Sequence, residues 1–167
     1  FNLLDGEAHL GVVSTEVDDT SLETQKFFRD VITLIVQPNH RWALRKKIDP
    51  SELLGEPIIM REATAGTRRV VLAELAKHDI SLDDLNVFME LGNAEATVRT
   101  VAAGYGISFV SSLASAYPME RGNVIDIAIK DMALQRNVYM VRKRISTPHR
   151  PRDVFWSFIH DPANADL

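Results

Sequence analysis

In REATAGTRRVVLAEL, residues 61–75, a polar turn of small residues leads directly into a helical pattern. Val71, Leu72 and Leu75 fall on one stripe at helical spacing, with charged residues mostly outside it. The short apolar run PIIM at 57–60 precedes the turn and is typical of a buried strand. The stretch therefore predicts a strand, a turn and a helix in immediate succession.

The rest of the chain repeats this alternation with short connections. Strands are predicted over 8–13, 30–38, 57–60, 86–90, 107–111, 123–129 and 137–144, and helices over 49–55, 67–78, 93–103, 112–117 and 150–160. Pro118 is expected to end the fourth of these helices, and the last helix is expected to turn Val154, Phe155, Phe158 and Ile159 inward. Alternating strands and helices indicate an α/β fold with a mostly parallel sheet.

Composition excludes several classes of function. The 167 residues carry a formal net charge of -4, so a domain-wide basic surface for nucleic acid is absent. There is no cysteine, which rules out disulfides, thiolate metal ligands and cysteine nucleophiles. The longest apolar runs are far too short for a membrane span, so no membrane contact is expected. Because the chain starts at Phe1 in what resembles the end of a helix, we expect that an N-terminal part is missing.

No catalytic or cofactor motif stands out. The five histidines are scattered, and the glycines around Tyr105 follow a helix instead of opening one, in the wrong order for a dinucleotide fingerprint. We therefore expect neither a cofactor nor a metal, and a protein that is not an enzyme.

The start of the predicted helix after Gly66 is suited to holding an anion. Free amide hydrogens and the helix dipole favour negative charge there, Gly66 permits close approach, and Thr64 and Thr67 supply hydroxyl groups. A plain helix start, with Arg68 and Arg69 as outward surface charges, is the alternative that the residues leave open. The turns at Ser14–Thr15 and at Asn93 likewise follow predicted strands, which favours binding without turnover.

Four segments together resemble one known family, the effector-binding domains of LysR-type transcriptional regulators. They are LLDGEAHLGVVS (3–14), REATAGTRRVVLAEL (61–75), ELGNAEATVRTVAAGYGISFVSS (90–112) and LQRNVYMVRKR (134–144). The similarity extends over essentially the whole chain. The combination of E-x-x-x-G-T-R with E-L-G-N-x-E-A and A-G-x-G-I is more specific than either half alone.

The resemblance implies a two-lobed fold of the type II periplasmic-binding-protein class, with mostly parallel sheets and two crossover strands. Lobe I is expected to comprise 1–58 and 141–167, and lobe II 59–140. A winged helix-turn-helix domain for DNA, a linker helix and the first strand and helix of lobe I are expected to lie outside this sequence.

The resemblance also implies a site and partners. A small anionic effector is expected in the cleft between the lobes, in contact with Ser14, Thr15, Thr64, Ala65, Gly66, Thr67 and, at the edge, Asn93. Some relatives have serine where this chain has Ala65, which removes one hydroxyl. A cytoplasmic homodimer or homotetramer is expected. Two alternatives share the fold: a solute-binding protein of a transporter, and an enzyme such as a dehydratase or deaminase, for which the cleft residues offer no catalytic group.

Overall fold

The computed structural model describes residues 3–144 and 149–164. Its strands are β1 (Gly11–Val13), β2 (Leu22–Val36), β3 (Lys47–Ile48), β4 (Ile58–Arg61), β5 (Val87–Leu91), β6 (Ile107–Ser111), β7 (Ile125–Ile129) and β8 (Gln135–Lys143). Its helices are α1 (Gly66–Ala76), α2 (Ala94–Ala102), α3 (Ser112–Glu120) and α4 (Arg150–His160), with short 3-10 turns at Pro50–Gly55, Leu82–Asp84 and Pro162–Asn164. The predicted alternation of strands and helices is confirmed from β4 to α3. The helix predicted at 49–55 is a 3-10 turn, β2 begins at Leu22 instead of residue 30, and β3 was not predicted.

Contacts divide the chain into two compact units. The first comprises Phe1–Arg29 and Asn137–Leu167, and the second Asp30–Arg136. This division differs from the expected lobes, since residues 30–58 group with the second unit. The reason lies in β2, whose C-terminal half pairs with β6 and β7 of that unit. Both β2 and β8 continue across a boundary, as expected of two crossover strands.

The second unit is a mixed sheet in the order β5-β4-β6-β2-β7-β3. β4 pairs in parallel with β5 and β6, whereas β2 runs antiparallel to β6 and β7. Alternate residues of β4 face opposite apolar clusters: Ile58 and Met60 belong to one and Ile59 to the other. β4 is therefore covered on both faces, which explains its continuous apolar sequence.

Helices α1 and α2 cover opposite faces of this sheet. Val71 and Leu75 of α1 belong to the larger cluster, and Val98 and Val101 of α2 belong to the smaller one. Gly104 follows α2 with a φ of +84°, the left-handed conformation expected of a glycine after a helix.

Helix α3 corrects one expectation, because it continues through Pro118 to Glu120. Pro118 lies in the last turn of α3, where it removes one helical hydrogen bond and crowds the carbonyl four residues earlier without ending the helix.

The first unit has a smaller core. β1 pairs antiparallel with β8, and Leu3, Leu22 and Val141 form its buried cluster. In α4 the expected inward face is wrong: Val154, Phe155 and Phe158 are exposed, and Trp156 is buried instead. The guanidinium of Arg142 lies 4.3 Å from the centre of the Trp156 ring, so a cation–π contact helps to hold the helix on β8. No helix among the described residues is both long and apolar enough to cross a membrane.

Candidate functional site

Three helices of the second unit begin where three neighbouring parallel strands end. α1 follows β4, α2 follows β5, and α3 follows β6 directly. Since β4 lies between β5 and β6, the carboxyl ends of these strands and the three helix starts lie at the same edge of the sheet. This edge is where open α/β sheets bind ligands. The three starts differ in how their amide groups are satisfied.

The start of α1 is uncapped by any side chain. Ala65 occupies the N-cap position in an extended conformation and supplies no side-chain acceptor. The first helical hydrogen bond runs from the Arg69 amide to the Ala65 carbonyl at 3.2 Å. The amide groups of Gly66, Thr67 and Arg68 therefore have no helical acceptor, and they carry the positive end of the helix dipole.

The threonines on either side of Gly66 differ in burial. Thr67 is only 3% exposed, whereas Thr64 is exposed in the turn before the helix. Ala65 and Gly66 are buried as well. The turn itself is fixed by a hydrogen bond from the Ala65 amide to the Glu62 carbonyl at 2.9 Å. The predicted ligand residues around Gly66 thus form one short turn and the helix start that follows it.

Arg68 ties α1 to the sheet. Its Nη1 donates to the Arg61 carbonyl at 3.0 Å and to the carboxylate of Glu90 on β5. The side chain is largely buried, so Arg68 is not the outward surface charge that the sequence left open. Its charge is offset by Glu90, and its role is to orient the helix start.

Arg61 holds the ends of β4 and β5 together. Its guanidinium donates to both carboxylate oxygens of Glu62, at 2.8 and 3.0 Å, and to the Gly92 carbonyl at 3.3 Å. The hydrogen bonds from Arg61 hold the pKa of Glu62 below its usual range. The carboxylate nearest in sequence to the α1 start is therefore paired, which reduces its repulsion of a bound anion.

The start of α2 is capped. Asn93 Oδ1 accepts a hydrogen bond from the Ala96 amide at 3.0 Å, which confirms the predicted N-cap. Thr97 donates from its hydroxyl to the Asn93 carbonyl at 2.9 Å. The side-chain oxygen of Asn93 is thus engaged in its own helix. A contact between Asn93 and an effector stays a prediction.

The start of α3 contains a polar cluster that the sequence analysis did not single out. Ser111 caps the helix and also donates to Asp30 of β2, and Asp30 pairs with Arg136 of β8. A signal was present in the sequence, since Asp30 is a charged residue within an apolar, β-branched strand. Such a residue is buried only when it is paired.

Ser14 and Thr15 belong to the first unit. They follow β1 directly, with Ser14 half-buried and Thr15 exposed. Their predicted contact with an effector therefore stays a prediction.

The histidines of the described residues serve local structure. His40 Nε2 lies 3.2 Å from Glu56 Oε2, and His149 Nδ1 accepts from the Arg152 amide at 3.3 Å. Within residues 3–144 and 149–164 no three histidine, aspartate or glutamate side chains are grouped so as to hold a metal ion.

Comparison with known proteins identifies relatives over nearly the whole chain. The family model described as the LysR substrate binding domain matches residues 2–163. An uncharacterised HTH-type transcriptional regulator of Methanocaldococcus jannaschii is 34% identical over 133 residues, which cover 78% of this chain and 44% of the regulator. The chain thus spans about half the length of the curated relatives it matches.

Solved structures agree in fold. The CcmR regulatory domain of Synechocystis PCC6803 in complex with 2-PG is 25% identical, with a TM-score of 0.81 over 95% of this chain and 74% of that one. The effector-binding domain of QuiR in complex with shikimate is 20% identical, with the same TM-score over 95% and 73%. The predicted fold class is confirmed. The matches favour a regulator over a transporter's solute-binding protein or an enzyme.

Proposed function

Because the chain belongs to the family of LysR substrate-binding domains, we propose that it senses a small anionic effector through the start of α1. It does so as the regulatory part of a LysR-type, DNA-binding transcriptional regulator. No bond is made or broken in this role. The effector acts by its different affinity for two conformations of the protein.

The single observation that carries the proposal is the bare start of α1. Three amide groups without helical acceptors converge there, and no side chain of the N-cap residue competes for them. The helix dipole contributes about half a positive charge at this point. A carboxylate or phosphate oxygen satisfies these donors better than water does, since it is both charged and a strong acceptor.

The two threonines near the start of α1 differ in burial, which affects how strongly each can bind an anion. Thr67 is only 3% exposed, Thr64 lies exposed three residues before it, and both carry a hydroxyl group that can donate to an anion. A hydrogen bond from Thr67 to a charged oxygen is worth about 1.5–3 kcal/mol in such surroundings. Ser14, Thr15 and Asn93 are proposed as further contacts, on the strength of the family resemblance.

The ligands of related domains fit this chemistry. CcmR is in complex with 2-PG, and QuiR is in complex with shikimate, a carboxylate. Both are small polar molecules. We propose an effector of the same general class for this chain, without identifying it with either.

The remaining parts of the proposal concern the whole protein. DNA is bound by a helix-turn-helix domain encoded outside these 167 residues, as the M. jannaschii relative's description as an HTH-type regulator suggests. The regulator acts in the cytoplasm, where its DNA is.

A homodimer or homotetramer is proposed through the edge of the second unit. β5 is the outermost strand of that sheet, and Val87, Phe88 and Met89 in it are exposed. An edge strand with apolar side chains on both faces tends to pair with another chain. Sedimentation of the full-length regulator tests this part, and a strict monomer at high concentration contradicts it.

A thermal-shift panel tests the effector proposal. Carboxylates, phosphate esters and inorganic oxyanions are added singly to the purified chain, with neutral analogues of equal size as controls. A ligand of the folded state raises the melting temperature in proportion to the logarithm of its concentration over its Kd. At least one anion is expected to do so and its neutral analogue is not. Stabilisation by neutral compounds alone contradicts an anionic effector.

A further inference from the structure

One carboxylate in the second unit is buried far more deeply than its neighbours in sequence. Only 2% of the Asp30 side chain is exposed. It lies on β2, next to the exposed Arg29. A carboxylate in such a position is retained only when its oxygens are hydrogen-bonded and its charge is paired.

Both oxygens of Asp30 are engaged, and by different strands. Oδ1 accepts from the Ser111 hydroxyl at 2.6 Å, at the end of β6. Oδ2 accepts from Arg136 on β8, from Nε at 2.9 Å and from Nη2 at 2.8 Å. Three strands thus meet on one carboxylate. The Ile32 amide donates to the Leu134 carbonyl at 2.8 Å immediately beside this cluster.

The Asp30–Arg136 pair lies where the chain enters and leaves the second unit. The second unit begins at Asp30 and ends at Arg136, so the pair joins the residues at its two boundaries. β2 leaves the unit on one side of Asp30, and β8 leaves it on the far side of Arg136. β2 and β8 are hydrogen-bonded neighbours, and Glu23 of β2 also pairs with Arg142 of β8 within the first unit. At the boundary itself, the Asp30–Arg136 pair joins these two strands to each other and, through Ser111, to the start of α3.

We propose that the Asp30–Arg136 pair acts as a clamp on the two connecting strands and so limits the range of positions that the two units sample. A buried ion pair adds little to stability compared with an apolar replacement, and in some proteins its role is to fix a particular arrangement. The proposal concerns the protein without ligand. It does not rest on the proposed anionic effector, and the two can fail separately.

A second carboxylate provides a matched control. Glu56 is also largely buried, with 12% of its side chain exposed, and it accepts from Arg41 Nε at 2.7 Å and lies 3.2 Å from His40 Nε2. It belongs to the same unit but to neither connecting strand. Its loss lowers stability by the same physical route as the loss of Asp30, without touching the connections.

Pulsed electron–electron double resonance, which measures the distance between two spin labels, tests the clamp. The chain has no cysteine, so labels at Ser157→Cys on α4 and Ala116→Cys on α3 are the only ones attached. Both positions are exposed and lie on helices, one in each unit. Distance distributions are recorded for the doubly labelled parent and for the same protein with Asp30→Asn, Arg136→Lys or Glu56→Gln.

Asp30→Asn is expected to broaden the distance distribution, because the amide keeps an acceptor for Ser111 and loses the ion pair. Arg136→Lys keeps the positive charge but offers Asp30 one donor nitrogen in place of two. A smaller broadening than with Asp30→Asn is therefore expected. Glu56→Gln is expected to leave the width unchanged. Where Asp30→Asn does not fold, Arg136→Lys decides. An unchanged width in these variants, or equal broadening by Glu56→Gln, overturns the proposal.

Discussion

The starts of α1 and α2 lie at the ends of adjacent parallel strands, yet they satisfy their amide groups in opposite ways. Asn93 closes the start of α2 with a side-chain acceptor 3.0 Å from the Ala96 amide. Ala65 has no such acceptor, and the amides of Gly66, Thr67 and Arg68 are left without one in the helix. Asn93 thus satisfies one of the starting amides of α2, whereas the N-cap side chain of α1 satisfies none.

The lack of a side-chain cap on α1 should lower the free energy of unfolding of the protein. Alanine at an N-cap position costs about 1 kcal/mol relative to serine, threonine, asparagine or aspartate. The residues around Ala65 are held in place by hydrogen bonds, because Arg61 and Arg68 bind neighbouring carbonyl and carboxylate groups. A start so well positioned and yet uncapped is suited to an acceptor that arrives with a ligand.

Ala65→Asp is expected to have the largest effect on binding. A carboxylate at the N-cap accepts from the free amides and complements the dipole, so it occupies the place of the effector. Affinity for the anion selected by the thermal-shift panel should fall by at least about 100-fold, or about 2.7 kcal/mol. Calorimetry measures the affinity, and Ala63→Asp places the same charge two residues earlier in the exposed turn as the control. Equal affinities of Ala65→Asp and the parent would contradict binding of the anion at the start of α1.

Thr67→Val is expected to have the second-largest effect on the affinity for the anion. Valine fills the buried site with nearly the same volume, so the fold should be kept while affinity falls about tenfold, for the loss of one hydrogen bond to a charged group. Thr100→Val is the control, since the Thr100 hydroxyl donates only to the Ala96 carbonyl of its own helix, at 2.8 Å. Thr15→Val in the first unit is expected to weaken binding as well. Unchanged affinity in both Thr67→Val and Thr15→Val counts against the assignment of these residues.

Asn93→Ala tests the capped start of α2. It removes the cap of α2, and the free energy of unfolding should fall by about 1 kcal/mol. Asn93→Asp keeps an acceptor and should restore the loss. Ala65→Ser, in contrast, should raise stability, because it adds the cap that α1 lacks. Chemical denaturation measures all three, and a loss of stability in Ala65→Ser would mean that the α1 amides are already satisfied.

The smallest expected effect is the dependence of stability on pH that comes from the Arg61–Glu62 pair. Arg61 lowers the pKa of Glu62 in the folded protein, so the pair stabilises the fold above the pKa of an unfolded glutamate, about 4.3, and this contribution is lost as pH falls through the lower folded pKa. The pair is partly exposed, and its contribution is under about 1 kcal/mol. Unfolding of the parent and of Glu62→Gln should differ at neutral pH and converge in acid. A difference that persists below the folded pKa contradicts the pairing.

The sequence predicted the second unit better than the first. In the second unit the apolar stripes of α1 and α2 face a sheet covered on both sides, so periodicity and burial agree. In α4 the same rule failed: Trp156 is buried, while Val154, Phe155 and Phe158 remain exposed. Periodicity identifies a helix, but the face that is buried depends on which elements are present to cover it.

The candidate site was predictable in part. The turn around Gly66 and the cap at Asn93 carry local signals, namely small polar residues between a strand and a helix. The Asp30–Arg136 pair joins residues far apart in the chain, and only the pairing of β2 with its neighbours brings them together. The role of Arg68 was left open for the same reason, because its partner Glu90 lies on another strand.

Amide NMR of the chain, titrated with the anion that raises its melting temperature most, tests the site directly. Upon saturation the amide signals of Gly66, Thr67 and Arg68 are expected to move furthest, downfield as they gain a charged acceptor. The amide of Ala96, already bound to Asn93, is expected to stay in place. Saturable binding that leaves the signals of residues 66–68 unmoved would contradict an effector held by the start of α1.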